Sequence, residues 1–302
     1  MIIVKIQGGL GNQFFQYAAA LQISKSTNKE VLLDLSYFDD EKHKILYRFD
    51  KFKVIFKDAT KMHIPKEANT HFSRISQKLY YGFKFFPCVG FNVINGDLLS
   101  NPSIKLKSLN PKMNFLLIGW LQNTEYFKGV KTILSDHLHL NNNVSINKEI
   151  SNLILNTNSV AIHIRRGDML LNKNFVELDS VYYESAIKII SNKINNPHFF
   201  VFSDEPEKAK QLLKQLKYPL TFVTEHSQSL GYYSTKGDFI DFELMRRCKH
   251  YITANSTFSW WPAYLSQDKN KIVISPSKWY ENKALQDKFE KSNLIEKDWI
   301  KI

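Results

Sequence analysis

From Ser159 onward the chain repeats one pattern, a short β-branched or aromatic run followed by an amphipathic stretch of helical length. No other feature constrains the fold as strongly, because strands separated by helices pair in parallel and need cover on both faces of their sheet. The pattern predicts strands at Val160–Ile164, His198–Phe202, Leu220–Val223, Tyr251–Ala254 and Ile272–Ser275. Between them it predicts helices over Tyr183–Ile190 behind a Ser180 cap, Glu205–Leu216 with Pro206 in the first turn, Phe239–Lys249 and Thr257–Leu265. The chain opens the same way, with strand Ile2–Ile6, a glycine-rich turn, helix Asn12–Ser26 and strand Val31–Leu35, a second βαβ unit. From Tyr37 to Pro111 aromatic clusters, lysine runs and the breakers Pro65, Pro87 and Pro102 weaken the pattern, and the reading is irregular chain with short helices. Asn114–Trp120 is a further strand, and the polar run Leu140–Ser145 is the boundary between an N-terminal lobe (1–150) and a C-terminal lobe (151–302). Two α/β lobes facing each other across a cleft is the expected architecture.

Composition narrows the function classes. Among 302 residues, 43% are hydrophobic and 14% aromatic, enough for a folded core. No stretch reaches the roughly 20 apolar residues of a membrane span. Met1-Ile2-Ile3-Val4-Lys5 runs straight into a strand without signal-peptide form, and two cysteines, Cys88 and Cys248, make no disulfide framework, so a cytoplasmic location is expected. Forty-one Lys+Arg against 29 Asp+Glu leave a surplus of twelve positive charges. Nucleic acid, an anionic membrane surface and a phosphorylated small molecule are the partners such a surplus suits. The lysines are spread along the whole chain, which argues against nucleic acid and leaves peripheral contact with an anionic membrane as a second role.

Three strand-end motifs carry the chemistry. In Gln7-Gly8-Gly9-Leu10-Gly11-Asn12-Gln13, glycines allow a tight turn, and the helix start offers N–H groups to an anion or sugar oxygen. The spacing is not that of a dinucleotide fingerprint. His163-Ile164-Arg165-Arg166-Gly167-Asp168 ends a buried strand, where open α/β sheets place ligands. Strand alternation puts His163 and Arg165 on one face; an arginine there can hold a phosphate with a planar fork, and Asp168 can fix the second guanidinium. Asn255-Ser256-Thr257 precedes Phe258-Ser259-Trp260-Trp261 at another strand-to-helix turn and would form a second anion cradle, unless Ser256 only caps the helix and the tryptophans only fill the core. The histidines are scattered and no Asp-x-Asp occurs, so a diphosphate here would be neutralised by arginine and backbone amides without a metal.

Gly-Gly-Leu-Gly-Asn-Gln-Phe-Phe-Gln-Tyr-Ala (8–18), His-Ile-Arg-Arg-Gly-Asp (163–168), Phe-Ser-Asp-Glu (202–205) and Asn-Ser-Thr-Phe-Ser-Trp-Trp (255–261) together resemble the bacterial α-1,2-fucosyltransferases of glycosyltransferase family 11, in order and over essentially the whole chain. The resemblance implies a GT-B-like fold of two Rossmann-type lobes, GDP-β-L-fucose as donor, inversion at the anomeric carbon, and no metal or other cofactor. It implies a galactose-terminated oligosaccharide or lipid-linked glycan as acceptor, held mostly by the N-terminal lobe through Gly9, Gly11, Asn12 and Gln13, with the nucleotide in the C-terminal lobe. Arg165 matches the arginine on the diphosphate, completed by Arg166 and Asp168. His163 matches a nucleotide contact, and Asn255, Ser256 and Thr257 the donor's phosphate loop. Asn12 matches a loop asparagine near the reacting sugar. Glu225 matches an acidic guanine-binding position, where one carboxylate suits the paired N1–H and amine donors of guanine. Met169 stands where an aromatic is frequent and Pro262 where glycine is usual. Asp168, Asp204 and Glu205 are the candidates for the base, with Asp168 first; a dissociative transition state also allows the leaving phosphate to take the proton.

Overall fold

The computed structural model describes residues 1–39, 46–60, 91–96, 109–167, 169, 172–223 and 237–302. In the N-terminal half, β1 (Ile2–Lys5), α1 (Leu10–Thr27), β2 (Val31–Asp34), β3 (Lys57–Asp58), β4 (Phe91–Gly96) and β5 (Asn114–Gly119) give a sheet of order β3-β2-β1-β5-β4 in which every pair is parallel. Two helices, α2 (Lys131–His137) and α3 (Lys148–Asn156), lead into the C-terminal half. There β6 (Asn158–Ile164), α4 (Ser180–Ser191), β7 (Pro197–Ser203), α5 (Pro206–Leu212), β8 (Leu220–Val223), α6 (Asp238–Arg247), β9 (His250–Ile252), α7 (Thr257–Leu265), β10 (Val273–Ser275), α8 (Lys283–Glu290) and β11 (Ile300–Lys301) follow. Their sheet has the order β11-β10-β9-β6-β7-β8, again all parallel. Helices on both faces bury six consecutive residues of β6, Ser159 to Ile164, so its middle reads as the apolar run Val160-Ala161-Ile162 without alternation.

The stretch read as irregular contains a strand. β4 pairs with β5 along its full length, from Phe91 opposite Asn114 to Gly96 opposite Gly119. Asn92 and Asn95 interrupt its apolar residues, so no alternation shows in the sequence. β3, β11 and helices α2, α3 and α8 also escaped the pattern; β3 and β11 have two residues each, and α3 is marked mainly by its Asn147 cap, whose Oδ1 accepts from the Glu149 and Ile150 N–H groups.

The lobes are joined by one hydrophobic core rather than separated by an open seam. α1 lies between its own sheet and α7, with Phe14, Phe15, Trp260 and Trp261 all fully buried. Phe15 stands 4.7 Å from Trp261 and 5.0 Å from Trp260, ring centre to ring centre, and Phe14 stands 4.9 Å from Phe242 of α6. Burying a large aromatic is worth roughly 1.5–3 kcal/mol, so this cluster fixes the lobes' relative placement. Ala18, Ala19 and Ala20 keep the middle of α1 slim enough to be buried on several sides. Among the described residues no helix is long and apolar enough to cross a membrane.

Candidate active site

Both sheets turn the C-terminal ends of their central strands toward one cleft of about 390 Å³. The N-terminal wall comes from the turns after β1 and β5: Gly9, Leu10, Gly11, Asn12, Trp120 and Gln122. Gly8 adopts φ +76°, and a Cβ there would lie 2.7 Å from the Trp120 ring. Gly11 lines the cleft and also makes a contact between the lobes. A Cβ on it would meet the Thr257 backbone at 2.6 Å, and its carbonyl accepts a 2.8 Å hydrogen bond from Trp261 Nε1. Its missing side chain therefore admits the other lobe's helix.

Asn12 reaches across the lobes. Its Oδ1 accepts from Gln122 Nε2 at 2.8 Å and from Thr257 Oγ1 at 3.0 Å. With both acceptor positions filled, the amide orientation is fixed, and Asn12 Nδ2 has no partner among the described residues. Gln13 is not at the cleft. It is fully buried, and its Nε2 donates to the carbonyls of Gly8 (3.0 Å) and Leu46 (3.1 Å), so it shapes the glycine turn from behind.

The C-terminal wall carries the charge. Arg165, just past β6, pairs with Asp204, just past β7, at 3.1 Å; the side chains are 17% and 10% exposed. The other Asp204 oxygen accepts the Arg166 backbone N–H at 3.0 Å, so one carboxylate shapes the whole turn. The Arg166 side chain instead pairs with Glu177 at 2.8 Å and does not line the cleft. His163 is buried against Phe258, ring centres 5.4 Å apart, and its Nδ1 has no hydrogen-bond partner among the described residues. Burial first, and then neighbouring Arg165, push its pKa down to about 3, so the ring is neutral at physiological pH.

Ser256 caps α7, accepting from Phe258 N–H at 3.3 Å, and Thr257 spends its hydroxyl proton on Asn12. Asn255 donates to the carbonyls of Val176 (2.9 Å) and Trp279 (3.1 Å), so its amide nitrogen holds loops. Asp168 and Glu225 lie outside the described residues.

Two further cleft residues, Asp238 and Asp241 at i and i+3 of α6, went unread as ligand contacts, although a carboxylate opening a helix after β8 is the available signal. Asp238 pairs with Arg48 of the other lobe at 2.9 Å. Burial raises its pKa, offset in part by Arg48. Burial and then Asp238 raise that of Asp241 well above the carboxylate range.

Two all-parallel α/β lobes meeting over a shared cleft have the two-lobed architecture of GT-B-type glycosyltransferases. The family model described as Glycosyl transferase family 11 matches residues 1–302, and the chain belongs to that family. It is 30% identical over 323 residues to the Escherichia coli O-antigen biosynthesis glycosyltransferase WbnK, covering 98% of this chain and 99% of that one. To the Escherichia coli alpha-1,2-colitosyltransferase it is 29% identical over 303 residues, 94% of each chain. To the human galactoside alpha-(1,2)-fucosyltransferase 1 it is 29% identical over 111 residues, 35% of this chain and 28% of that protein. In fold it is similar to the NodZ alpha-1,6-fucosyltransferase co-crystallized with GDP, with a TM-score of 0.52 at 13% identity over 87% of this chain and 91% of that one. An Arabidopsis thaliana FUT1 mutant in complex with GDP gives a TM-score of 0.51 at 11% identity, over 90% and 69%.

Proposed function

We propose that this family 11 glycosyltransferase moves L-fucose from GDP-β-L-fucose to the 2-hydroxyl of a terminal galactoside, with inversion and without a metal. The observation that carries the reading is Arg165, held by Asp204 at the end of β6 and facing the start of α7 and the glycine turn within one cleft. As GDP leaves an oxocarbenium-like fucosyl group, negative charge grows on the β-phosphate. A preoriented guanidinium fork and the first N–H groups of α7 answer that charge. Asn12 Nδ2 is the donor directed at the transferring sugar. At the guanine end, Asp241 is the acidic side chain of the described wall that could take the place matched by resemblance to Glu225, and accepting guanine's paired donors would require it to ionise against its burial. Asp204 is engaged by Arg165 and Glu205 by Lys208 at 2.7 Å, so Asp168 stays first among the base candidates.

A colitosyl donor is the second reading, favoured by the relative named alpha-1,2-colitosyltransferase. Colitose differs from fucose by a missing 3-hydroxyl, so the donors are close in shape. The test is incubation with lactose and either GDP-fucose, GDP-colitose or GDP-mannose, followed by linkage analysis. An α-1,2-fucosyl-lactose product supports the first reading. Turnover of GDP-colitose alone replaces it with the second, and a 1,6 linkage overturns the acceptor position.

A further inference from the structure

Apart from the phenol of Tyr280, whose pKa burial raises, the titratable residues of the cleft wall are His163, Arg165, Asp204, Asp238 and Asp241, and they sit on β6, on the exit turns of β6 and β7, and in the first turn of α6. Beyond β9 on the other side of β6 lies the loop after β10, with Trp279 and Tyr280, and the loop after β6 is bridged to it at Phe175, bringing Asn172 and Asn174 to the same end; none of these side chains carries a charge. At about 4.8 Å per strand, the exits of β7 and β10 are roughly 14 Å apart. A nucleoside diphosphate needs the charged side; aromatic faces and amides without charge fit a neutral sugar ring.

These loops are built as one unit. Phe175 and Tyr280 form an antiparallel bridge, with ring centres 4.9 Å apart. Val176 N–H donates to the Trp279 carbonyl at 3.0 Å, and Glu281 N–H to the Asn174 carbonyl at 2.7 Å. Asn255 clips both strands of this ribbon from beneath, and Gln286 Oε1 accepts the N–H groups of Trp279 (3.0 Å) and Tyr280 (3.1 Å). Asn172 Oδ1 accepts both the backbone and side-chain N–H of Asn174. Asn172 and Asn174 are exposed, so this end of the cleft opens to solvent. A donor sugar can be enclosed, but the end of a glycan must leave its chain an exit.

We propose that the Asn172–Phe175 and Trp279–Tyr280 ribbon is the acceptor subsite, taking the neutral terminal sugar of the glycan, with Asn255 as its positioning residue. The inference rests on the GDP-sugar transferase reading and moves part of the acceptor contact from the N-terminal lobe to the C-terminal one. It is tested by steady-state kinetics of Phe175→Ala and Asn174→Ala with lactose, using whichever GDP-sugar the wild-type enzyme hydrolyses without acceptor. A wrong donor identity then registers in wild-type hydrolysis and not in the acceptor measurement. Phe175 is half-buried and Asn174 exposed, so neither change empties the core. Phe175→Ala is expected to raise the acceptor KM about tenfold more than the donor KM, the usual loss for one aromatic contact, and Asn174→Ala several-fold. Acceptor and donor KM rising in step, or an acceptor KM unchanged in both variants, would overturn the proposal.

Discussion

The two walls of the cleft do opposite work. The N-terminal wall, from Gly9 to Asn12 and from Trp120 to Gln122, has no charged side chain among its described residues. It is shaped by glycine turns and locked to the facing lobe by Thr257, Trp261 and the aromatic cluster. The C-terminal wall holds Arg165 and the carboxyl groups of Asp204, Asp238 and Asp241; Asp204 pairs with Arg165 from strand end to strand end, and Asp238 with Arg48 from lobe to lobe. The contrast assigns transition-state charge to one wall and geometry to the other. Electrostatic preorganisation and positioning are separate contributions to rate, so substitutions on the two walls have distinct kinetic signatures.

The largest effect belongs to the charged wall. Arg165→Ala is expected to lower transfer at saturating donor by two to three powers of ten, the typical loss of about 3–4 kcal/mol for one preorganised donor. Arg165→Lys should recover little, because a point charge does not reproduce the fork. A folded Arg165→Ala enzyme with near wild-type turnover would erase the distinction between the walls.

A smaller effect is expected on the geometric wall. Thr257→Val removes the proton given to Asn12 and leaves that amide held by Gln122 alone, so kcat should fall by up to about tenfold, while Thr257→Ser restores it. Donor KM rising instead would make Thr257 a direct phosphate contact and move it to the charged wall.

The smallest effect is on stability, through His163. Its folded pKa of about 3 lies below the ordinary value near 6.5, so between those values the unfolded chain binds the proton and the folded one does not. Stability contributed by the neutral ring is therefore full above about pH 6.5 and falls as pH drops, by up to roughly 1.4 kcal/mol per pH unit. Asp238 and Asp241, with raised values, act with the opposite sign over the acidic range. Comparing urea unfolding of wild type and His163→Gln at pH 7, 6 and 5 isolates the histidine. The wild type should lose stability faster than the variant, and parallel curves would show that His163 titrates normally.

The charged wall was the more legible in sequence. Two arginines ending a buried apolar strand demand a partner or ligand, and the turn's place at the end of a strand of an open α/β sheet pointed to the cleft. The partner itself was hidden: Asp204 lies 38 residues beyond Arg166, and no spacing rule links them. The geometric wall was seen but misread in part. A glycine at a helix start signals a close approach without saying to what, and at Gly11, in the first turn of α1, the approach is to Thr257, 246 positions on. Likewise Gln13 and Asn255 stand inside motifs yet spend their amide nitrogens on backbone carbonyls. Trp260 and Trp261 proved to be the core filling that was the plainer reading of that motif. Strand β4 shows the same limit, since its pairing with β5 is a tertiary fact that its own asparagines disguise.

The division between the walls is tested most directly by titrating GDP, which lacks the transferring sugar, into the wild-type protein, Arg165→Ala and Asn12→Ala. The account predicts that GDP affinity falls at least about tenfold in Arg165→Ala, the loss of a hydrogen bond to a charged group. In Asn12→Ala, whose side chain is assigned to the sugar, GDP affinity should stay close to the wild-type value. Equal losses in the two variants, or a larger loss in Asn12→Ala, would contradict it.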